Sequence, residues 1–467
     1  MLCAAAVLAG VSSALAQTRP SLPPGSPFAG GVPDATIVKE TISLTVADVI
    51  ERALRHNLGV LLAEQGTERA SGARAVALAE LLPNVTASAT ASRRKNNLEA
   101  FGFPLNSSPF GASLPRIVGP FNVYEARVFL SQSLFDLSAL NEVRAEGHNV
   151  TASQYSHRSA RDLVVLVAAN AYLQTLAAGA RSVSAKAQLE TAEALQRQAE
   201  SLRQSGIVAG VDVIRAEVRV LTERQRATAA ENEFQKSKLQ LARVIGLPIG
   251  QAFTLSQEIP NVPSPDMTLE EALERAYKQR PDYLAALERV RAAEASRRAV
   301  AGEGLPSVKV RADYGALGLT WNTSLPTFNV TGAIDVPIFE GGRLQGRLAE
   351  ADAELRERRA EADDFKSEVY YDVRSAFLDL QSTGEELKSA TRARELAALQ
   401  LTQSRDRFAA GVVSNIEVVQ SQEAVALASE QYINAEYSFN LAKAMLARSL
   451  GSAEDAVRRF LGTGGNR

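Results

Sequence analysis

The sequence predicts a mainly α-helical chain that also carries membrane β-strands and is built as an internal tandem repeat. Three observations predict it: two long tracts lack proline, four segments alternate apolar and polar residues, and motifs of the first half recur in the second. None of the 18 prolines of this 467-residue chain lies between Phe121 and Leu247 or after Pro337. Because proline breaks helices, these two tracts are where long helices can form.

The composition excludes several classes of protein. With 51 Lys and Arg against 53 Asp and Glu, the net charge of −2 provides no general field to hold nucleic acid or an anionic membrane surface. A single cysteine excludes an internal disulfide framework, and one cysteine with three scattered histidines cannot form the usual Cys/His metal clusters. The sequence therefore indicates neither a cofactor nor a metal.

The N-terminus indicates secretion. Residues 2–15 form an apolar, alanine-rich run that is too short to span a bilayer, and Ala14-Leu15-Ala16 fits a secretory cleavage site. We interpret residues 1–16 as a signal peptide and residues 17–43 as an extended N-terminal segment. The basic start of a typical signal peptide is missing, which fits an internal Met of a longer leader. The alternative is a disordered alanine-rich start.

The rest of the chain predicts no transmembrane helix. No run of about 18 consecutive apolar residues follows residue 16, so a chain that crosses a membrane must do so with strands. Cys3 lies too close to Met1 to be convincing as a lipid-modified cysteine.

Self-similarity divides the chain into two repeats. Leu82-Pro83-Asn84-Val85 returns as Leu305-Pro306-Ser307-Val308, and Leu241-Ala242-Arg243 returns as Leu446-Ala447-Arg448. Repeated motifs in the same order indicate a tandem duplication. The predicted units are a first repeat over 44–246, a Pro-rich linker over 247–266, a second repeat over 267–451 and a C-terminal tail over 452–467.

Each repeat is predicted to contain a helix, two strands, a long helix, a turn and a second helix. Apolar residues recur at three- and four-residue steps after Gly342, and the tract from Ser138 to Ser205 has the same character. At 1.5 Å per residue, roughly 70 residues form a rod of roughly 100 Å. Such a helix cannot belong to a compact domain, and the abundant alanine favours a layer one helix deep.

Four segments alternate apolar and polar residues, as strands with one apolar and one polar face do. They are predicted at about residues 84–94, 119–134, 307–317 and 327–338. Strands of about 10 residues cross an outer-membrane bilayer when tilted. The alternative is two amphipathic hairpins packed on a soluble core. The first repeat also carries a loop insertion, within roughly Asn96 to Pro115.

Backbone hydrogen bonding constrains the spanning alternative. Four strands cannot close a barrel, and an open edge in hydrocarbon leaves unpaired backbone groups that cost several kcal/mol each. Because side chains fill barrels of eight strands, three chains with about 12 strands are the smallest sum that leaves a pore.

Short motifs mark the junctions within both repeats. A Leu-Pro pair leads into a strand, Phe135-Asp136 and Phe339-Glu340 precede the long helices, and turn segments occupy residues 203–213 and 407–420. In this arrangement the chain resembles the TolC-type outer-membrane efflux proteins from about residue 40 to 451. The resemblance implies a homotrimer in the outer membrane of a Gram-negative-type bacterium: a 12-stranded β-barrel continued by a long α-helical barrel across the periplasm. It also implies two partners, a periplasmic adaptor protein and an inner-membrane pump of the RND or ABC type.

The two turns, at residues 206–210 and 411–415, are the candidate functional site. Gly206 and Gly411 can adopt the positive φ of a helix C-cap, and an acidic residue follows in the first turn of each next helix. From the residues alone, two ordinary helical hairpin turns are an equally good interpretation. The resemblance implies instead that the turns dock the adaptor. The residues predicted to dock are Arg203, Gly206, Asp212, Arg407, Gly411 and Ser414.

The resemblance also implies a gate beyond the second turn, where acidic residues line the channel entrance. Glu417 occupies the first acidic position, whereas Gln420 stands where members of the family can carry a second acid. The entrance is therefore predicted to be less negative. Opening is predicted to break polar contacts among Arg203, Arg407, Asp212 and Glu417.

The sequence favours a passive duct over an enzyme. The paired carboxylates Asp363-Asp364 and Glu385-Glu386 lie on helical surfaces without a nearby histidine. The glycine cluster at residues 341–346 lacks the GxGxxG order and fits a hinge between strand and helix. The predicted function is the outer-membrane exit duct of a tripartite efflux or type I secretion system, with energy from the pump. The alternative is a periplasmic or surface coiled-coil scaffold without a pore. The cargo is not encoded in any motif.

Overall fold

The computed structural model consists of long helices joined to one antiparallel β-sheet. It describes residues 26–33, 37, 40–98, 100, 115–206, 209–248, 250–255, 267–410, 412–413, 415–454 and 456–457. The strands are β1 Ile42–Leu44, β2 Asn84–Asn97, β3 Ile117–Phe135, β4 Phe253–Leu255, β5 Ser307–Gly318 and β6 Leu325–Asp335. The helices are α1 Val46–His56, α2 Leu58–Ala79, α3 Leu137–Gln204, α4 Gly210–Val244, α5 Leu269–Gln279, α6 Pro281–Gly302, α7 Arg343–Ala409 and α8 Asn415–Ser449.

Helices α3 and α7 run the length of the helical part, with 68 and 67 residues. In the half nearer the sheet, α3 packs with α2 and α6, and α7 packs with α6. In the far half, α3 packs with α4 and α8, and α7 packs with α8. The far part therefore has the order α4-α3-α8-α7, with the two hairpins joined where α3 meets α8. This is the single layer of rods that the sequence predicts.

The hydrophobic core lies near the middle of the rods. The short helix α1 buries Val46, Val49 and Ile50 against the middle of α3, and α5 packs in the same way on Val369 and Val373 of α7. The short helices α1 and α5 therefore thicken the packing around the middle of α3 and α7. Beyond this region the long helices pack only against other helices of the single layer.

Each repeat has two helices before its strands, where the sequence predicts one. The backbone of Asn57 is extended between α1 and α2, and its side chain accepts a hydrogen bond from the N–H of Gly59 at 2.9 Å. Arg280 is extended between α5 and α6, because the residue before Pro281 is driven out of the helical region. The predicted linker also contains a strand, since β4 pairs in parallel with β1.

The large sheet has the strand order β2-β3-β5-β6, and all its neighbours are antiparallel. The glycine cluster follows it: Gly341 and Gly342 have φ of 61° and 87°, and Gly342 caps α7. Because only glycine adopts these angles without strain, the pair turns the chain from the sheet into the long helix.

One described helix, α3, is apolar and long enough to cross a membrane by composition alone. Most of its apolar window is buried inside the protein, as in a core helix.

Several sequence predictions lie outside the described residues. They are the signal peptide at 1–16, most of the loop insertion at 96–115, residues 256–266 of the linker, Gly411, Ser414 and most of the tail at 452–467.

Candidate functional site

The first hairpin end closes through its backbone. Helix α3 ends at Gln204, and the N–H of Gly206 donates to the carbonyl of Arg203 at 2.9 Å. Gly206 has a φ of 75°, as predicted for a C-cap. Among the described residues no side chain caps the start of α4. Its first-turn Asp212 lies near the helix N-terminus, where the helix dipole favours a negative charge.

The polar side chains of the first hairpin end pair within their own helices. Arg203 binds Glu200 at 2.8 Å, one turn back in α3, and Arg215 binds Asp212 at 3.3 Å in α4. The hydrogen bonds from Arg203 lower the pKa of Glu200. Within one chain, Arg203 and Asp212 therefore pair inside their own helices rather than with each other, because residues three apart share a helix face and a local partner is reached first.

The second hairpin end is cross-linked between its helices. Arg407 near the end of α7 binds Glu417 in the first turn of α8, with Nη1 and Oε1 2.8 Å apart. The side chains are 56% and 36% exposed. Of the four predicted contact residues, only Arg407 and Glu417 are brought together within the chain. Gln420 lies one turn further along α8 and is exposed.

A buried polar contact lies beneath this ion pair, and sequence reasoning missed it. The hydroxyls of Ser404 and Ser421 are 2.8 Å apart, and Ser421 also donates to the carbonyl of Glu417 at 2.9 Å. Both serines are buried, next to the fully buried Val418. The sequence alone does not show that Ser404 and Ser421 lie opposite each other, because this depends on the register of α7 against α8.

Polar contacts also join the two hairpins to each other. Arg181 of α3 binds Glu430 of α8 at 2.8 Å. Nearer the tips, Arg219 of α4 lies between Glu223 of its own helix, at 3.0 Å, and Glu423 of α8, at 3.7 Å. The two hairpins of one chain are thus linked by charges as well as by packing.

The sheet at the opposite end of the molecule has two distinct faces. One row across three strands is Val128, Tyr314 and Phe328, and the side chains of all three are exposed. The next row is polar: Arg127 reaches across Gly315 to the hydroxyl of Thr327 at 2.7 Å. Arg127 also pairs with Glu125 and Asp313.

The absence of a side chain at Gly315 allows this crossing. A Cβ there would lie 2.3 Å from the carbonyl oxygen of Ala126 and 2.7 Å from the Cα of Arg127. Exposed apolar side chains on one face and an ion cluster on the other suit a sheet between lipid and water.

A sheet of this kind, carried on two long helical hairpins, is the architecture of an outer-membrane channel protein. The chain belongs to the outer membrane efflux protein family, whose model matches residues 49–247 and 272–452.

Individual relatives agree with this assignment. The chain is 25% identical over 454 residues to the pyoverdine export outer membrane protein OpmQ of Pseudomonas putida, covering 93% of this chain and 91% of OpmQ. It is 22% identical to the outer membrane protein OprJ of Pseudomonas aeruginosa, over 88% of this chain and 85% of OprJ. The crystal structure of the CmeC outer membrane channel of Campylobacter jejuni matches with a TM-score of 0.73 at 18% identity, covering 87% and 86% of the two chains.

These findings confirm the resemblance seen in the sequence. The chain is an outer-membrane efflux channel component, located in the outer membrane and extending into the periplasm. The three relatives are described as an export outer membrane protein, an outer membrane protein and an outer membrane channel.

Proposed function

We propose that three copies of this chain form one closed conduit, a 12-stranded β-barrel continued by an α-helical barrel. The observation that carries the proposal is the open sheet. Strands β2 and β6 are its two edges, and each has a neighbour on one side only. In hydrocarbon an unpaired edge is costly, so β2 of one copy must pair with β6 of the next.

The faces of the sheet support this closure. With Tyr314, Phe328 and Val330 outward, the apolar face would meet lipid, and the cluster around Arg127 would face a water-filled lumen. A barrel of 12 strands is wider than the eight-stranded barrels that side chains fill.

The helical layer also has edges that a second copy would cover. Helix α4 exposes Val211, Ile214, Val218 and Leu221, which follow one another at steps of three and four residues. This is the spacing of a coiled-coil seam. On the opposite edge α7 exposes Leu396 and Leu399. We assign these two stripes to each other across the boundary between neighbouring copies.

The internal repeat belongs to the same proposal. The elements of residues 44–246 return in the same order in residues 267–451, with helices of 11, 22, 68 and 35 residues matched by 11, 22, 67 and 35. Two copies of one unit per chain give a trimer six similar units around its axis, joined through the linker at 247–266.

The hairpin ends would be the periplasmic mouth of the conduit. We assign adaptor docking to Arg203, Gly206, Asp212, Arg407, Gly411 and Ser414, and the gate to Glu417 with Gln420 beside it. An ion pair as exposed as Arg407 with Glu417 contributes about 0–1 kcal/mol. Such a contact can be exchanged for contacts to a partner protein at little cost. Transport through the duct is passive, and the RND or ABC pump supplies the energy.

Cysteine cross-linking tests the trimer. Each variant carries one cysteine in β2, at Thr86, Ser88 or Thr90, and one in β6, at Asn329 or Thr331. The variants are oxidised in membranes. We expect covalent trimers on a non-reducing gel for at least one combination. The control pair is Phe129 with Asp313, which are direct partners in β3 and β5 and would cross-link within one chain. Covalent species that stop at the dimer would contradict a closed trimer.

Planar-bilayer recordings test the duct and its gate. We expect small conductance steps from the purified protein and longer openings from Arg407→Ala, because its ion pair ties α7 to α8. Arg203→Ala removes only a pair within one helix and serves as the matched control. If neither the wild type nor the variants conduct, the scaffold alternative is favoured.

Site-specific photo-cross-linking tests docking. A photoreactive residue at Ser414 is expected to capture a periplasmic adaptor in cells. The same residue on the solvent side of mid-α7, at Glu385, is the control. Equal capture at both positions would contradict docking at the turns.

A further inference from the structure

Four basic side chains gather at the end of the β2–β3 hairpin that lies away from the helices. Arg93, Arg94 and Lys95 follow one another in β2, and Arg116 precedes β3, where its carbonyl accepts the N–H of Leu98 at 2.8 Å. All four are exposed. Among the described residues no acidic side chain forms an ion pair with any of them. The net charge of −2 hides this local concentration of positive charge.

The depth of this basic cluster follows from the strand register. Ala91 is the partner of Tyr124, whose ring packs on Trp321 with centroids 5.0 Å apart. Aromatic residues of outer-membrane barrels sit at the boundary between hydrocarbon and headgroups. Arg93 is the partner of Asn122, one step beyond this aromatic pair. The basic cluster therefore begins where the apolar face of the sheet ends.

The alternation of strand residues separates the cluster into two faces. Arg93 and Lys95 continue the face of Ala91, which is the apolar face of the sheet. Arg94 lies on the polar face, where its Nε donates to the hydroxyl of Ser92 at 3.1 Å. The irregular register between Arg94 and Asn96 places its extra residue in β3, so the alternation of β2 continues. Two cations thus extend outward, and one points toward the lumen side.

The second hairpin provides an internal contrast. Between β5 and β6 the chain reads Leu-Thr-Trp-Asn-Thr-Ser, without a charged residue. The aromatic pair is shared by both hairpins, but only the first carries positive charge beyond it. A general requirement of barrel ends therefore does not explain the cluster.

We infer that Arg93 and Lys95 bind the phosphate groups of lipids in the outer leaflet of the membrane. The inference rests on the proposed function, because this end faces outward only if the helices lie in the periplasm. Arginine can bind phosphate with two parallel hydrogen bonds, and lysine adds a point charge. A lipid whose acyl chains lie on the apolar face places its headgroup at this level.

The single tryptophan provides the test, because Trp321 reports on lipid next to the aromatic pair. The full-length protein is reconstituted in phosphatidylcholine vesicles, with brominated acyl chains carried either by phosphatidylcholine or by phosphatidic acid. We expect phosphatidic acid to be enriched near Trp321 by about fivefold per bound cation, so that its brominated form quenches Trp321 fluorescence more strongly than brominated phosphatidylcholine. In the double variant that combines Arg93→Gln with Lys95→Gln, the two brominated lipids should quench Trp321 equally.

The matched control removes two charges from the other face, Arg94→Gln with Arg311→Gln, and should keep the enrichment. If no brominated lipid quenches Trp321, the barrel proposal itself fails. If phosphatidylcholine quenches but phosphatidic acid is not enriched, or the control loses the enrichment equally, only the lipid inference is overturned. Full displacement by millimolar glycerol phosphate would mark a site for soluble phosphate and would also overturn it.

Discussion

The two helical hairpins share their lengths and differ in the side chains that close them. Helices α4 and α8 both have 35 residues, and five residues separate each of them from the helix before it. Positions of the two hairpins therefore correspond one to one. The corresponding pairs, first half before second, are Ala199 and Ser404, Leu202 and Arg407, Asp212 and Glu417, and Ala216 and Ser421. Ser404, Arg407 and Ser421 of the second end have apolar counterparts in the first, whereas the counterpart of Glu417 is Asp212, which pairs within its own helix.

This difference separates the apolar pattern that forms the hairpins from the polar contacts that we expect to regulate their opening. Matching helices differ in length by at most one residue with and without the cross-links, so helix length is set by the apolar pattern and the turn. The serine pair and the ion pair concentrate polar contacts at one of the two ends. Contacts that can be exchanged with water, ions or a partner protein are what an opening mouth needs. At the hairpin end itself only the second hairpin has them between its helices, because in the first the exposed pair Arg224 with Glu193, 3.2 Å apart, lies further from the turn.

The largest expected effect comes from a charge placed beneath the second end. Val418 is fully buried, whereas its counterpart Val213 is half-buried. Val418→Asp should lower the free energy of unfolding by about 3 kcal/mol or more, because it buries a carboxylate in place of an apolar side chain. Val213→Asp should cost about half as much. Denaturant unfolding of the detergent-solubilised protein, followed by circular dichroism, measures both. Equal losses would show that the two ends are packed alike.

The next effect concerns a carboxyl that only the first half carries. Asp162 of α3 corresponds to the exposed Ser367 of α7. Burial raises the pKa of Asp162 to about 6; Arg448 opposes this shift, and Glu454 and Asp282 add to it. Because the folded pKa lies above the unfolded value of 3.8, folding favours the protonated form. Stability from this group is full below pH 3.8 and is lost as the pH rises through about 6.

Asp162→Asn removes this pH dependence. At pH 7 we expect the variant to be more stable than the wild type by roughly 2–3 kcal/mol, with the difference vanishing below about pH 4. Melting temperatures measured between pH 4 and pH 8 check the prediction, and Ser367→Asn is the control at the matching position. A difference that does not change with pH would point to packing rather than to the buried charge.

The sequence predicts the parts of this fold that depend on one element at a time. The proline map and the apolar period find the long helices, and alternation finds the four strands of the large sheet. The break at Asn57 is missed because asparagine within an apolar helical pattern is not a strong stop signal, and its role depends on burial. The three-residue strand β4 is too short to show a pattern. At the site, glycine and charge find Gly206 and the pair Arg407 with Glu417, but the contact of Ser404 with Ser421 depends on helix packing.

A smaller effect is expected from the buried serine pair. Ser421→Ala leaves the buried hydroxyl of Ser404 with only a 3.5 Å contact to Glu417, which should cost about 1–2 kcal/mol. Replacing both serines by alanine reproduces the arrangement of Ala199 and Ala216 and should recover most of this loss. Denaturant midpoints of the two single variants and the double variant form a mutant cycle. Additive losses would mean that the hydroxyls do not act as a pair.

The smallest effect is a stabilisation that makes the first half more like the second. Tyr172 of α3 is almost fully buried, and its hydroxyl has no hydrogen-bond partner among the described residues. Its counterpart in α7 is Phe377. Burial raises the pKa of Tyr172 to about 12, so the hydroxyl stays neutral and acts only as an unsatisfied polar group. Tyr172→Phe should therefore raise the free energy of unfolding by about 1 kcal/mol, since it removes the unpaired hydroxyl and keeps the ring.

The reverse change, Phe377→Tyr, adds a hydroxyl at a half-buried site with access to water and should be close to neutral. If Tyr172→Phe lowers the melting temperature instead, the buried hydroxyl contributes to stability and the prediction is wrong.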